Sequence, residues 1–163
     1  EVALREIVTN SFFPFANKSK NVYLKNISIL SIGGNLKNPI KTFLHLIRKL
    51  RLNRNITLIS TSPIYKNPPF GYTKQRDFYN STIILSTNMC LIEFYRFVFY
   101  TERIFGRGRK REFKNAPRTL DIDILFFNDI FIRSEKLNIP HLHWNKRDSV
   151  LIPLLYQVNY KGF

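Results

Sequence analysis

The chain has 163 residues, 44% of them apolar and 15% aromatic, which is enough for one domain with a real core and too apolar for a disordered chain. Its formal net charge of +15 indicates an anionic partner: nucleic acid, an anionic membrane or a phosphorylated small molecule. The single cysteine, Cys90, excludes an internal disulfide and a cysteine-built metal site and favours a reduced, cytosolic setting, and no apolar run reaches the about 20 residues of a membrane span.

The chain begins with an extension, residues 1–26, that has no clear periodicity and is predicted to be an extra strand or an arm covering the core or an edge. The stretch NISILSIGGNL, residues 26–36, predicts a buried strand that ends at a Gly-Gly turn. Asn38 and Pro39 are typical of a helix N-cap and of the first helical position. The apolar residues that follow at helical spacing are Ile40, Phe43, Leu44, Ile47 and Leu50.

The middle of the chain predicts a strand over residues 56–65, a loop rich in proline and glycine over 66–76, a strand over 77–87 and a helix over 90–105. One broad face of this second helix is apolar. Its members are Leu91, Phe94, Tyr95, Val98 and Phe105.

A basic loop over residues 106–118 leads into a predicted fourth strand, TLDIDILFF, residues 119–127. Asn128 and Asp129 predict a turn, after which residues 130–132 are expected to pair back on the strand as a hairpin.

Residues 138–155 begin as a loop and end as a short apolar helix. There is no internal repeat and no sign of a second domain. We therefore predict one α+β domain over residues 1–163, with a ferredoxin-like β-α-β-β-α-β core, an extra hairpin and a C-terminal helical tail.

Two aspartates stand at alternate positions of the predicted fourth strand. Side chains at i and i+2 of a strand share a face, so Asp121 and Asp123 point one way. Two close carboxylates repel each other unless a cation lies between them, and Mg²⁺ is commonly held by one or two carboxylates together with substrate phosphates. A strand facing solvent with two solubilising acids is the alternative, and this pattern alone leaves both open. The residues expected to face the core are Leu120, Ile122 and Ile124.

Basic residues crowd the loop before this strand. Cations beside a pair of carboxylates suit a metal-polyphosphate ligand, while a solvated loop or a nucleic-acid patch is the alternative. Gly106 and Gly108 suggest a loop that closes over a ligand. The basic residues are Arg107, Arg109, Lys110, Arg111, Lys114 and Arg118.

Several motifs in order resemble those of the 6-hydroxymethyl-7,8-dihydropterin pyrophosphokinase family. They are GGNL after the first strand, SPIYKNPPFG, DFYN, TERIFGRGR, APRTLDIDIL and IPHLHWNKRDSVLIPL. The resemblance spans residues 29–158 and leaves residues 1–26 outside. Its last two motifs are the most specific.

The resemblance implies a transferase that moves a pyrophosphoryl group from ATP to the hydroxymethyl oxygen of the pterin and leaves AMP. It implies that Asp121 and Asp123 coordinate two Mg²⁺ ions. One would lie between the β- and γ-phosphates, and the other would bridge the α- and β-phosphates and contact the attacking hydroxyl. The residues implied to contact phosphate and ribose are Arg107, Arg109, Arg118, His141 and Arg147, with Lys110 and Lys136 as lesser candidates and Glu102 near the nucleotide.

For the pterin, the resemblance implies that Asn80 reads the hydrogen-bonding edge and that Phe78 stacks on the ring. The segment that contains Asn67, Pro68 and Phe70 would help to bind the pterin. Ser149 stands where the family usually has the aromatic that covers the other face of the ring. The aromatics that could replace it are Phe70, Tyr72 and Trp144.

Two other functions remain open from the sequence. A ferredoxin-like RNA-binding module would explain the charge, although the chain lacks the RNP-type aromatic pattern, and acids on a sheet face repel phosphate. A family member with altered activity toward the pterin is the third possibility. The favoured hypothesis is a cytoplasmic monomer that acts on ATP and the pterin, with no nucleic-acid or membrane partner.

Overall fold

The computed structural model describes residues 5–19, 23–107 and 113–159. Within these residues the chain folds as an α+β structure with three helices and antiparallel strands. The helices are α1 (Pro39–Leu52), α2 (Leu91–Glu102) and α3 (Asp148–Asn159). The strands are β1 (Glu6–Val8), β2 (Phe15–Ala16), β3 (Asn26–Gly34), β4 (Ile56–Thr61), β5 (Ile64–Asn67), β6 (Phe78–Thr87), β7 (Asp121–Phe127), β8 (Ile132–Arg133) and β9 (Asn138–Ile139).

The central strand of the main sheet is β3, which pairs antiparallel with β7 on one side and β6 on the other. The far side of β6 pairs with β4 along one half and with β5 along the other half. The main apolar core joins this sheet to α1 and α2. Its largest fully buried side chains include Phe13, Phe43, Phe94 and Phe127.

Helix α1 begins where the sequence predicts. The Asn38 side chain accepts a hydrogen bond from the Lys41 backbone N–H at 3.2 Å, and Pro39 occupies the first turn. Phe43, Ile47 and Leu50 are buried against the sheet, as their spacing predicts. The two glycines before the helix differ from the prediction, because residues 33–34 are the last two positions of β3 and the turn comes after them.

The predicted strand over residues 56–65 is wrong in one respect, because the chain breaks it into β4 and β5 at Ser62 and Pro63. Pro63 has no backbone N–H to donate to a ladder. Ser62 keeps its backbone N–H bonded to the Thr82 carbonyl oxygen at 2.9 Å. The predicted loop over 66–76 therefore starts only after Asn67.

The predicted hairpin after the fourth strand is also wrong. Strand β8 pairs with β9 in a separate two-stranded sheet rather than with β7. The turn residue Asn128 has a positive φ of 48° and accepts a hydrogen bond from the Ile27 backbone N–H at 2.7 Å. This contact holds the turn against the start of β3. The strand after the turn, β8, pairs with β9.

The extension supplies two short edge strands and one core residue. Strand β1 pairs with β5, β2 pairs with β4, and Phe13 between them is fully buried. At the other end of the chain, Gln157 of α3 is buried and bonds Thr82 and Ser60 at 2.6 and 2.8 Å, which fixes α3 on the sheet. Among the described helices, none is long and apolar enough to cross a membrane.

Candidate active site

The two aspartates of β7 lie on one face of the sheet, as the sequence predicts. The side chains of Asp121 and Asp123 are 19% and 35% exposed. Ile122 and Ile124, which alternate with the aspartates, and Leu120 just before the strand are buried in the core.

Arg118 is the cation that the structure places beside the first aspartate. Its Nη1 lies 2.7 Å from Asp121 Oδ2, and its guanidinium carbon lies 5.3 Å from the centre of the Phe78 ring. The arginine therefore contacts both a carboxylate and an aromatic side chain of the predicted site.

The backbone of Arg118 is fixed by Asn35, a residue for which the sequence analysis assigned no role. The Arg118 N–H donates to Asn35 Oδ1 at 3.0 Å, and the Arg118 carbonyl oxygen accepts from the Asn35 N–H at 2.9 Å. Asn35 is 1% exposed and also donates to Gln75 Oε1 at 2.8 Å. Gln75 in turn donates to the Asn115 carbonyl oxygen at 2.9 Å. These contacts join three loops around the arginine, and only the motif GGNL could have pointed to Asn35.

His141 lies beside the second aspartate, with 3.9 Å between its Nε2 and Asp123 Oδ2. Burial lowers the pKa of His141 below its usual value, the Asp123 carboxylate opposes this shift, and Arg147 adds to it. The imidazole is therefore mostly neutral at pH 7 and presents one N–H donor and one acceptor. The His141 backbone N–H donates to the Leu125 carbonyl oxygen at 3.0 Å, which ties this segment to β7.

Glu102 ends α2 and is 2% exposed. Its Oε1 accepts a hydrogen bond from the Ile122 backbone N–H at 2.7 Å. This hydrogen bond links the end of α2 to the strand that carries the aspartates. The orientation of the Glu102 carboxylate is therefore fixed relative to β7.

A cavity of about 390 Å³ opens between α2, β7 and the segment after β8. It brings together Asp123 and four residues predicted to lie on the nucleotide side: Glu102, Lys136, His141 and Arg147. Its apolar wall includes Tyr95, which the sequence places on the apolar face of the second helix, and three residues that the sequence did not single out: Phe99, Leu137 and Leu142. Phe99 is 50% exposed on α2, and an exposed aromatic is the signal that could have indicated a ligand wall.

The residues predicted to bind the acceptor also meet. The Asn80 side chain donates to Asn67 Oδ1 at 2.6 Å, and Phe78 lies two residues before Asn80 on the same strand and so shares its face. A Cβ added to Gly33 would lie 2.7 Å from Asn80 Oδ1, so only glycine leaves room for this amide as it is placed. Pro68 adjoins Asn67, whose side-chain amide donates to the Pro68 carbonyl oxygen at 3.1 Å.

The three aromatics that could replace the residue missing at position 149 differ in their surroundings. Tyr72 packs edge-on against Phe113 with 5.0 Å between ring centres, and Trp144 packs in the same way against Phe126 at 5.0 Å. Phe70 is 84% exposed and contacts no other aromatic ring in the part of the chain that the structure describes.

Part of the predicted site falls outside the described residues, namely Arg109 and Lys110 and the side chain of Arg107. The Arg107 backbone lies in an irregular helical turn, Arg103–Arg107, in which Gly106 has a φ of 106°. Glycine adopts a positive φ more readily than other residues, which suits Gly106 at the point where α2 ends and the basic loop begins.

A metal ion at this site would have few protein ligands. No group of three or more His, Cys, Asp or Glu residues is placed to hold an ion within the described ranges. Mg²⁺ commonly takes one or two carboxylates and completes its shell with water and substrate phosphates. Asp121 and Asp123, on one partly exposed face beside Arg118, fit that kind of site.

Comparison with known proteins relates the chain to one family. The family model of 7,8-dihydro-6-hydroxymethylpterin-pyrophosphokinase matches residues 29–158. A 2-amino-4-hydroxy-6-hydroxymethyldihydropteridine pyrophosphokinase from Helicobacter pylori is 52% identical over 97% of both chains, and one from Campylobacter jejuni is 35% identical over 88% of this chain and 89% of that protein. The folic acid synthesis protein FOL1 of Dictyostelium discoideum is 36% identical over 79% of this chain, which matches only 19% of that protein.

These matches define the class of protein first: the chain is a transferase of the kinase type in folate biosynthesis. More narrowly, the chain belongs to the 7,8-dihydro-6-hydroxymethylpterin-pyrophosphokinase family and is an ATP-dependent pyrophosphokinase. The resemblance drawn from the sequence motifs is thereby confirmed.

Proposed function

We propose that this protein transfers the pyrophosphoryl group of ATP to the hydroxymethyl oxygen of 6-hydroxymethyl-7,8-dihydropterin, giving AMP and the pterin diphosphate. The observation that carries the proposal is the position of Asp121 and Asp123. They share a face of β7, with the cavity lined by His141 and Arg147 beside Asp123 and with Arg118 and Phe78 beside Asp121.

The nucleotide occupies the cavity in this proposal. Tyr95, Phe99 and Leu137 offer apolar contact to a flat base, and Arg147, Lys136 and His141 offer donors to phosphate and ribose oxygens. This polarity matches ATP, which is flat and apolar at one end and strongly anionic at the other.

The acceptor occupies the surface around Asn80 and Phe78. The amides of Asn80 and Asn67 supply both donors and acceptors for a heterocycle edge, and the Phe78 ring offers a stacking face. The contact between Arg118 and Phe78 joins this surface to the carboxylates. It supports a placement of the hydroxymethyl group close to the transferred phosphorus.

In the reaction, the acceptor hydroxyl oxygen forms a bond to the β-phosphorus as the bond from that phosphorus to the oxygen shared with the α-phosphate breaks. AMP departs with that oxygen, and the proton of the acceptor hydroxyl is released to solvent. Positioning and charge neutralisation supply most of the catalysis in such transfers. Arg118 neutralises charge that builds on the transferred group, and His141 and Arg147 hold the nucleotide.

Asp121 and Asp123 are the residues that would hold Mg²⁺, with two ions proposed. Bound Mg²⁺ supplies electrostatic stabilisation of the phosphate oxygens and lowers the pKa of a hydroxyl that contacts it. The two carboxylates would balance the positive charge of the ions and hold the ions at a fixed position on β7.

We also infer that the core is ferredoxin-like. The order β3-α1-β4-β6-α2-β7 along the chain and the sheet order β7-β3-β6-β4 support this assignment. We propose that the enzyme acts as a monomer, because a single chain supplies both the residues around the cavity and the residues around Asn80. An RNA-binding module is the weaker proposal, because two carboxylates face outward where a phosphate backbone would lie.

The experiment is AMP formation from ATP and Mg²⁺ with and without 6-hydroxymethyl-7,8-dihydropterin. We expect AMP only when the pterin and Mg²⁺ are both present. Binding of an ATP analogue without pterin-dependent AMP would overturn the proposed acceptor. Binding of single-stranded RNA that is indifferent to Mg²⁺, with no ATP binding, would favour the RNA-binding module instead.

A further inference from the structure

Residues 5–19, called the arm below, run antiparallel along the edge formed by β4 and β5. Glu6–Val8 pair with residues 64–66 of β5, and Phe15–Ala16 pair with residues 60–61 of β4. These two pairings lie on opposite sides of the break at Ser62 and Pro63. The arm is therefore one continuous segment that spans a break in the neighbouring strand.

The part of the arm that faces the break is ordered by its own contacts. Phe13 is fully buried in the main core. Asn10 Oδ1 accepts from the backbone N–H groups of Phe12 and Phe13 at 3.0 and 3.1 Å, and the Thr61 hydroxyl donates to the Phe12 carbonyl oxygen. The arm is thus anchored at its centre, and its two strands reach out from a fixed point.

The strand that β1 covers leads directly to the acceptor residues. Strand β5 has four residues, and its last one, Asn67, accepts the 2.6 Å hydrogen bond from Asn80. Without β1, β5 would be a short edge strand paired on one side only, and such strands open readily. An opened β5 would move Asn67 away from Asn80.

Side chains strengthen this pairing. Glu6 Oε2 lies 3.7 Å from Lys66 Nζ, which in turn lies 6.0 Å from the centre of the Tyr79 ring on β6. Arg5 Nη1 lies 3.4 Å from Asp148 Oδ2 at the start of α3. Both members of the Arg5 pair are more than half exposed, so this second contact adds little.

We propose that β1 of the arm is a positioning element for the acceptor side of the active site, acting by holding β5 so that Asn67 meets Asn80. The assignment of the pterin as the acceptor rests on the function proposed above. The arm lies outside the residues 29–158 that match the family model, whereas the match to the Helicobacter pylori relative covers 97% of this chain and so includes most of it.

The test uses the full chain with Glu6→Pro and Ile7→Pro combined. Successive backbone N–H groups of a strand point to opposite sides, so one of the two prolines removes an N–H that faces β5. Both side chains are exposed, so the core keeps its packing. The matched control is Lys18→Pro, at an exposed position of the arm outside its two strands.

Hydrogen exchange of the Ile64–Asn67 amides is measured together with the KM values for pterin and ATP. For the double variant we expect exchange about tenfold faster and a pterin KM raised about threefold or more, while the ATP KM stays within about twofold. Lys18→Pro is expected to match wild type. A role confined to overall stability would instead lower the unfolding midpoint and speed exchange across the whole sheet, while the pterin KM stays unchanged.

Unchanged exchange of β5 in the double variant would overturn the proposal, as would faster exchange without any change in the pterin KM. If the double variant loses its cooperative unfolding transition, the same measurements are made on Glu6→Lys instead. This variant places a lysine beside Lys66, so two cations repel each other between β1 and β5 without any change in the backbone. Its expected effect is a rise of about twofold in the pterin KM, reversed by adding Lys66→Glu. A wild-type protein that forms no AMP with the pterin would refute the proposed acceptor, whereas the exchange comparison would still show whether β1 holds β5.

Discussion

Arg118 Nη1 lies 2.7 Å from Asp121 Oδ2, so one cation and one carboxylate of the candidate active site form a partly buried ion pair. The same guanidinium lies over the Phe78 ring. The pair therefore stands where the proposed phosphate and pterin positions meet. Asp123, the more exposed carboxylate, lies two residues further along β7 beside His141.

Asp123→Asn is expected to reduce the rate of AMP formation by about 10²-fold or more while the protein stays folded, because the amide keeps the shape of the side chain and removes the charge that we propose to hold Mg²⁺. The rate and the midpoint of thermal unfolding are measured together. Asp129→Asn, in an exposed turn, is the matched control and should leave the rate unchanged. A wild-type rate for Asp123→Asn would remove this carboxylate from the proposed metal site.

Arg118→Gln is expected to lower the rate by about 10²-fold, because it removes the cation that we propose to neutralise the transferred phosphate group. The change also leaves Asp121 without its 2.7 Å partner. Steady-state rates of this variant are compared with those of Arg133→Gln, which removes an exposed arginine. Equal rates for the two variants would mean that Arg118 does not act in the transfer.

Two adjacent glycines of β3 should respond differently to alanine. At Gly33 the new Cβ would press on the Asn80 amide, a movable side chain, so we expect a higher pterin KM with little loss of stability. At Gly34 it would press on the Thr119 backbone, so we expect destabilisation of about 1–3 kcal/mol. Urea unfolding and the pterin KM separate the two effects. A Gly33→Ala enzyme with a normal pterin KM would show that Asn80 does not contact the pterin.

Phe70→Leu is expected to raise the pterin KM about two- to tenfold, which corresponds to the ~0.5–1.5 kcal/mol of an aromatic contact. Of the three candidate aromatics, Phe70 is the one that contacts no other ring among the described residues, whereas Trp144 packs on Phe126, so Trp144→Leu is the control.

Adding Ser149→Phe to Phe70→Leu should restore the pterin KM, because an aromatic at position 149 would cover the face that Phe70 is proposed to cover. Ser149→Phe alone should tighten pterin binding or leave it unchanged. A large loss of binding in that single variant would mean that another side chain already fills the space, and an unchanged KM in Phe70→Leu would exclude Phe70 from the stack.

The local features of the fold could be predicted from the sequence because their causes are local. The Asn38 cap, the apolar face of α1 and the alternation around Asp121 and Asp123 each depend on residues a few positions apart. The break at Pro63 was missed because periodicity continues across it, although proline itself was a signal.

Features that depend on distant residues could not be predicted in this way. The turn at Asn128 is held by Ile27, about a hundred positions earlier in the chain, and β8 pairs with β9, which lies further along the chain, instead of with β7. The role of Asn35 depends on Gln75 and Arg118, which lie on two other loops. Spacing along the sequence carries no information about such contacts.

The most direct test of the proposed function is the identity of both products when the enzyme is incubated with ATP, Mg²⁺ and 6-hydroxymethyl-7,8-dihydropterin. The account predicts AMP and a pterin that has gained two phosphoryl groups in equal amounts, seen by chromatography and mass spectrometry. ADP with a pterin that has gained a single phosphoryl group, or AMP formed without any change in the pterin, would contradict it.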